Sequence, residues 1–290
     1  MTGVARTRDE LAVARAGLPG SVALVPTMGA LHEGHRSLLR RAREVADDVV
    51  VSIFVNPLQF APTEDLDRYP RTLDADLAMC ADEGVAFAFV PDRAQVYTRE
   101  PVVRVCAGSM GARLEGASRP GHFDGVLTVV AKLFGLVRPD VAVFGRKDAQ
   151  QLALVRRMVV DLELAVSIEG APLIRDADGL ALSSRNRYLS ADERRSALSL
   201  PRALAAGADA AASGAGPIQI TAAARAVLDG ADGVRTDYVA LIDPDDFEDL
   251  ADRLATDADA PIAAVLAVAA GVGSTRLIDN VSVSVRPVRG

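Results

Sequence analysis

Tryptophan is missing from this sequence and the other rings are scarce, with phenylalanine and tyrosine together making up 4% of the chain. Any core must therefore be built from Val, Leu, Ile and Ala. Cysteine is nearly missing as well. Cys80 and Cys106 are the only two, which excludes a disulfide framework and a cysteine zinc site. Cys80 falls in a helical apolar pattern with Leu73, Leu77 and Ala81, where a small buried thiol fits. No apolar run is long enough to cross a bilayer; the longest, Pro261 to Gly273, stops well short. The N-terminal segment is charged and amphipathic, without the apolar centre of a signal peptide, so a cytoplasmic protein is expected. Positive charge is also in deficit, with 32 Lys and Arg against 39 Asp and Glu and a net charge of -7. That argues against a nucleic-acid surface while leaving room for a local basic pocket. Neither a Walker P-loop nor a GxGxxG fingerprint is present.

What is present is an ordinary globular balance, 50% apolar and 24% charged over 290 residues, enough for one large domain or two average ones. Val22 to Val25 is a short apolar run rich in β-formers. A glycine-punctuated turn follows, then a helix with Leu38, Leu39, Ala42, Val45 and Ala46 on one face. Val49 to Val55 reads as the next strand and is nearly all apolar, as strands are when helices cover both faces. Thr72 to Glu83 reads as helix, Val85 to Val90 as strand, Val126 to Leu136 as helix, Val141 to Phe144 as strand and Ala149 to Asp161 as helix. This alternation predicts an α/β fold with a doubly wound parallel sheet, whose ligands sit beyond the carboxyl ends of the strands. The texture changes after about Arg175. Asp178-Gly179 marks a turn, and Ser190 to Glu193 forms a capping box. Ala205 to Gly216 reads as a helix end followed by a loop. Two β-rich runs, Val234 to Ile242 and Ile262 to Ala269, predict a second, smaller α+β domain. The division expected is 1–175 and 176–290.

Among the 32 basic side chains only Lys132 and Lys147 are lysines. Where arginine is the default cation, a lysine can mark a place that needs a compact ammonium. Lys132 follows a helical pattern and reads as a solvated or snorkelling side chain. Lys147 stands in Phe144-Gly145-Arg146-Lys147-Asp148, past a strand and at a helix start, where phosphate meets helix N-termini. The three histidines all lie beside glycines. In Pro26-Thr27-Met28-Gly29-Ala30-Leu31-His32-Glu33-Gly34-His35, the two imidazoles are three apart and face the same way on a helical turn. Two imidazoles at a positive helix end suit the charge that develops at a transferring phosphorus; capping or filling a turn is the plainer alternative. A metal site would need a third ligand and a different spacing. In Leu182-Ser183-Ser184-Arg185-Asn186-Arg187, two hydroxyls and a guanidinium suit a phosphate clamp, and equally a helix-capping segment. Asn56 and Gln59, past the second strand, and Gln151, one turn after Lys147, would face the same crevice.

Together, PTMGALHEGH (26–35), FVNPLQF (54–60), GHFDGV (121–126), FGRKDAQQL (144–152), DGLALSSRNRYLS (178–190) and TRLIDN (275–280) resemble the pantothenate synthetase (pantoate–β-alanine ligase) family. That family lies within the HxGH nucleotidyltransferase superfamily. The match follows the family's order along essentially the whole chain. It implies ATP-dependent ligation of pantoate and β-alanine through a pantoyl adenylate, with release of AMP and pyrophosphate and with Mg2+ on the triphosphate. It also implies a homodimer whose protomer has an N-terminal Rossmann-like domain binding nucleotide and pantoate, and a C-terminal lid. Carried over by position, His35 is the catalytic proton donor, and His32, Lys147 and Arg185 share the catalytic role by stabilising phosphates. Met28, Gly29, Ala30, Leu31, His32, Glu33, Gly34 and His35 line the ATP site, with Gly145, Arg146, Lys147, Asp148, Ile174, Leu182, Ser183, Ser184 and Arg185. Gln59 and Gln151 bind pantoate beside Met28, and Asn56, Tyr69 and His122 are secondary substrate contacts. Protein ligands for Mg2+ do not follow from the motifs.

Two departures stand out. Leu182 replaces a methionine common before SSRN, a nearly volume-conserving swap. Asp124 stands where the family often has arginine, which leaves its local role open. The competing enzyme reading is another HxGH nucleotidyltransferase acting on a phosphate ester. Such an enzyme would need a further cationic pocket, whereas Gln59 and Gln151 are neutral. A nucleotide-binding module without chemistry is the third reading, and the intact His32, His35, Lys147 and Arg185 argue against it.

Overall fold

The computed structural model describes residues 2–61, 66–250 and 261–286. The chain divides into two units: one runs to Arg146 and resumes over Gln150–Pro172, and the other joins Lys147–Ala149 to the chain from Leu173 onward.

The first unit carries strands β1 (Gly3–Ala5), β2 (Val22–Thr27), β3 (Asp48–Ile53), β4 (Phe87–Phe89), β5 (Val141–Gly145) and β6 (Ser167–Ala171). They form one sheet in the order β1-β4-β3-β2-β5-β6, with every pair parallel. Helices α1 (Arg8–Ala16), α2 (Glu33–Val45), α3 (Leu73–Asp82), α4 (Arg93–Val96), α5 (Glu115–Ser118), α6 (His122–Val137) and α7 (Ala149–Asp161) connect them. The period-two geometry of β2 accounts for its unbroken apolar run. Val22 and Leu24 join a core with Leu11 and residues of α6 such as Leu127 and Val130, while Ala23 and Val25 join a second with Leu39, Ala42 and Cys80. Helices thus cover both faces, as a parallel sheet requires. Burial pushes the Cys80 thiol up to about 11, so it sits in the core as a neutral apolar group.

Strand order reverses at β2. The chain runs outward through β3 and β4 on one side, then returns to place β5 and β6 on the other. The carboxyl ends of β2 and β5 therefore flank the switch point, where such sheets bind ligands.

The second unit contains a hairpin with Arg175 bridged to Ala181, helices α8 (Ala191–Ala197), α9 (Ser199–Ala212) and α10 (Pro217–Asp229), and strands β7 (Val234–Ile242), β8 (Ile262–Val272) and β9 (Thr275–Val285). The strands pair antiparallel in the order β7-β8-β9. Leu200, Leu204, Ile220 and Leu228 from the helices close over Leu241, Leu266 and Val268 of the sheet. Among the described residues, no helix is long and apolar enough to cross a membrane.

Several expectations need correction. The helix expected from Val126 starts earlier, at His122, and turns the GHFDGV motif into its first turn. The expectation for 205–216 holds instead: α9 ends at Ala212 and a short loop leads to α10 at Pro217. Strands β1, β6 and β9 were not anticipated. β1 is three residues long, and the first half of β9 carries Arg276, Asp279 and Asn280, which break the alternation that only Val281 to Val285 keep. Lys132 is half-buried, in keeping with the snorkelling reading and not the solvated one. Its ammonium lies 5.6 Å from the centre of the Tyr97 ring, and desolvation lowers its pKa.

Candidate active site

The histidine turn begins where β2 ends. Gly29 and Ala30 both have positive φ, 83° and 52°, and such a conformation in a non-glycine residue must be held from outside. Asp76, on α3 and 2% exposed, supplies the hold. Its Oδ2 accepts the Ala30 N–H at 3.0 Å, and its Oδ1 accepts the Leu31 N–H at 2.8 Å and the Thr72 hydroxyl at 3.0 Å. From below, Thr27 Oγ1 accepts the Gly29 N–H at 3.2 Å and donates to the Ser52 carbonyl at 2.8 Å.

This turn delivers His32 to the N-cap of α2 in an extended conformation. Its Nδ1 accepts the Gly34 N–H at 3.1 Å, and Nδ1 of His35 accepts the His32 N–H at 3.3 Å. The two rings are therefore partners in a capping box, with centroids 4.1 Å apart. Backbone amides can only donate, so each neutral ring must carry its proton on Nε2. The capping alternative and the phosphate reading are thus compatible. Capping occupies Nδ1 and fixes the Nε2–H tautomer at the positive end of a helix. Helix α2 packs on β5 through Leu38, beside Gly145, which puts the histidines at the switch point. Glu33 pairs with Arg36 at 3.0 Å.

Gln59 ends a single 3-10 turn after β3, Pro57–Gln59, capped by Asn56. Helix α6 comes so close to this turn that a Cβ on Gly125 would collide with the Leu58 carbonyl. The Gln59 carbonyl accepts from Arg119 Nη2 at 3.2 Å and lies 2.9 Å from His122 Nδ1. Arg119 Nη1 lies 3.1 Å from His122 Nε2. A guanidinium has no acceptor and a carbonyl no donor, so His122 carries its proton on Nδ1. His122 thus holds the backbone of Gln59, and its tautomer is opposite to that of His32 and His35. Gln59 Nε2 lies 3.1 Å from the Met28 sulfur, and Tyr69 packs edge-on against Phe60. Gln150 is tied to Met110, Arg113 and Glu115, whereas its neighbour Gln151 is half-buried at the start of α7. Asp124 accepts the Ala107 N–H at 2.8 Å, so its local role is to fasten that segment.

In the second unit, Lys147 is 19% exposed with its Nζ 3.6 Å from Asp148 Oδ1. Its carbonyl accepts from Asn280 Nδ2 at 2.8 Å. The hairpin from Ile174 to Leu182 closes with Leu182 N–H on the Ile174 carbonyl at 3.0 Å. It leads into a 3-10 helix, Ser184–Tyr188, capped by Ser183 through the Arg185 N–H at 3.2 Å. Arg175 anchors the hairpin by a two-pronged pair with the buried Asp279, at 2.6 and 3.0 Å. Two adjacent residues of the TRLIDN motif therefore hold both the lysine segment and the hairpin that carries Ser183, Ser184 and Arg185.

The motifs carry a resemblance; similarity along the whole chain decides the family. The family profile described as pantoate-beta-alanine ligase matches residues 1–282. The chain belongs to the pantoate–β-alanine ligase family. It is 62% identical to the pantothenate synthetase of Acidothermus cellulolyticus, over 96% of this chain and 90% of the relative. It is 59% identical to that of Thermobifida fusca, over 96% and 94%. A crystal structure of pantothenate synthetase from Thermus thermophilus superposes with a TM-score of 0.88 at 44% identity, covering 97% of this chain and 99% of that one. The pantoate-beta-alanine ligase of Francisella tularensis, complexed with beta-gamma ATP and beta-alanine, gives a TM-score of 0.78 at 30% identity, covering 97% of each chain. A ligase of this family is thus at hand, and its reaction joins pantoate to β-alanine.

Within this pantoate–β-alanine ligase, the structure gathers Met28 to His35, Asn56, Gln59, Tyr69, His122, Gly145, Arg146 and Gln151 in the first unit. Lys147, Asp148, Ile174 and Leu182 to Arg185 belong to the second. Sequence reasoning missed Asp76, Tyr97, Arg119, Asp279 and Asn280. Asp279 and Asn280 lay inside a quoted motif and were given no role. Asp76 was hidden in a helix where an aspartate ordinarily means a solvated face.

Proposed function

We propose that this ligase works through a pantoyl-adenylate intermediate. A carboxylate oxygen of pantoate attacks the α-phosphorus of ATP, the bond to the bridging oxygen breaks, and pyrophosphate leaves. The amine of β-alanine then attacks the acyl carbon. AMP departs with the former carboxylate oxygen, and the nitrogen gives up a proton to solvent. Adenylation is needed because oxide is a poor leaving group and AMP a good one.

The observation that carries this reading is the pair of Nε2–H tautomers at the N-terminus of α2, fixed by backbone donors to both Nδ1 atoms. Fixed donors stabilise negative charge developing on phosphate oxygens with no reorganisation. His35, the proton donor that the resemblance implies, then offers its Nε2–H as a hydrogen bond to the phosphate, with His32 as its partner. Lys147, Ser183, Ser184 and Arg185 hold phosphates, Gly145, Arg146 and Asp148 lie along the nucleoside, and Ile174 and Leu182 give it apolar contact. Gln59 and Gln151 bind pantoate as neutral donors beside Met28, and Gln59 remains beside the β-alanine site. Asn56, Tyr69 and His122 support that wall. Mg2+ enters as part of the nucleotide substrate. Among the described residues no group of three His, Cys, Asp or Glu could hold a metal, and both oxygens of Asp76 are engaged by the histidine turn. A cytoplasmic location and a homodimer, the latter as the family resemblance implies, complete the proposal.

The test is ATP–pyrophosphate exchange with and without pantoate, followed by a single turnover with carboxylate-18O pantoate. Exchange that needs pantoate but not β-alanine, with one 18O transferred to AMP, is expected. Label appearing in inorganic phosphate, or exchange without pantoate, would overturn the adenylate pathway.

A further inference from the structure

The orientation of a glutamine amide decides whether it offers donors or an acceptor. At Gln59 the surrounding hydrogen bonds settle which. Asn56 Nδ2 lies 3.0 Å from the Gly125 carbonyl, which can only accept, and the Leu58 N–H, which can only donate, lies 3.3 Å from Asn56 Oδ1. The Asn56 amide therefore has one possible orientation. Its Nδ2 also donates to Gln59 Oε1 at 3.1 Å. Turning the Gln59 amide over would set two NH2 groups against each other, so Gln59 must direct its NH2 away from Asn56, toward Met28.

Tyr97 stands behind this arrangement. It closes α4, is 4% exposed, and its hydroxyl donates to Asn56 Oδ1 at 2.9 Å. Burial pushes its phenol far above the ordinary tyrosine value, so the hydroxyl keeps its proton. Without the hydroxyl, Asn56 Oδ1 would be left with the long Leu58 contact alone. Asn56 is 1% exposed, so water could not readily make up the loss.

We infer that Tyr97 is a positioning residue which, through Asn56, fixes the Gln59 amide with its N–H donors toward pantoate. The inference rests on the reading that Gln59 binds pantoate, and goes beyond it by naming what sets that residue's polarity. Tyr97 touches no reacting atom, so its removal should affect pantoate and leave ATP alone.

The test is a double-mutant cycle of Tyr97→Phe and Gln59→Ala, with KM for pantoate, ATP and β-alanine, kcat, and the melting temperature measured for each protein. Gln59→Ala should raise the pantoate KM. Tyr97→Phe should raise it about fivefold to tenfold, the range of one neutral hydrogen bond, with the ATP KM within about twofold, a span under one such bond. In the Gln59→Ala background, Tyr97→Phe should add almost nothing. A Tyr97→Phe effect of equal size in both backgrounds, or one shared by ATP, would mark Tyr97 as merely structural and overturn the inference. So would an unchanged pantoate KM. If Gln59→Ala itself leaves the pantoate KM at the wild-type value, the reading of Gln59 fails and takes the inference with it. Side-chain amide NMR on 15N-labelled enzyme gives a readout independent of activity. The Gln59 NH2 pair, identified by its loss in Gln59→Ala, should shift or broaden in Tyr97→Phe, and an unmoved pair would count against the relay.

Discussion

Replacing Asp76 by alanine removes both acceptors that hold the turn before His32 and His35. Two backbone donors lose their partners: the Ala30 N–H, which is buried, and the Leu31 N–H, which is partly so. An orphaned buried donor costs about 1–3 kcal/mol, so the pair costs about 2–6 kcal/mol. Some is recovered when Ala30 leaves its positive φ, a conformation worth about 1–2 kcal/mol of strain, which brings the expected loss to about 1–4 kcal/mol. For a unit of this size that lowers the melting temperature by roughly 2–16 °C, at about 2–4 °C per kcal/mol. Asp76→Asn should fall between wild type and alanine, because one oxygen can keep Leu31 and Thr72 while the NH2 loses Ala30. The same relaxation moves the N-cap carrying His32. A displacement of about 1 Å at a reacting group costs on the order of a hundredfold in rate. Calorimetry and pantoate-dependent pyrophosphate release measure the two effects. Asp76→Ala with wild-type melting and kcat within twofold would refute the reasoning, because it would show that the turn holds its shape without the carboxylate.

Other expectations concern single side chains at the two ends of the substrate. Lys147→Ala should lower kcat by about 10²–10³, the range for loss of one preorganised donor, with a stable fold by circular dichroism; unchanged kcat would make it a surface residue. Arg185→Ala should slow adenylate formation in ATP–pyrophosphate exchange, and wild-type exchange would remove it from the phosphate site. Gly125→Ala places a Cβ against the Leu58 carbonyl and should cost about 1–3 kcal/mol by overpacking, raising the pantoate KM through Gln59. A variant with unaltered stability and pantoate KM would show that α6 can move away freely.

Much of this molecule was legible in one dimension. The apolar runs at β2 and β3 announce strands covered on both faces, and the turn from β2 into α2 announces itself by glycine and histidine spacing. β7 runs from Val234 to Ile242, as the β-rich pattern predicts, and the Ser190 to Glu193 box caps α8. These features depend on neighbours in sequence, so local chemistry writes them directly. The tautomers of His32 and His35 are also local, since the bonds that fix them span two and three residues.

Tertiary structure decided everything that depends on distant partners. Asp76 meets Ala30 across more than forty positions of chain, and Tyr97 meets Asn56 across as many. His122 lies about sixty positions from the carbonyl it holds. In sequence these are an aspartate on a helix, a tyrosine after a short helix and a histidine beside glycine, each with an ordinary surface or core reading. Lys132 shows the same limit, as its helical spacing points to solvent while the ring beneath it comes from another element. The sequence determined which residues are candidates for the chemistry, because candidacy depends on side-chain type and local spacing. Which nitrogen of His122 donates, and which way the Asn56 and Gln59 amides turn, follow from hydrogen bonds between segments that only folding brings together.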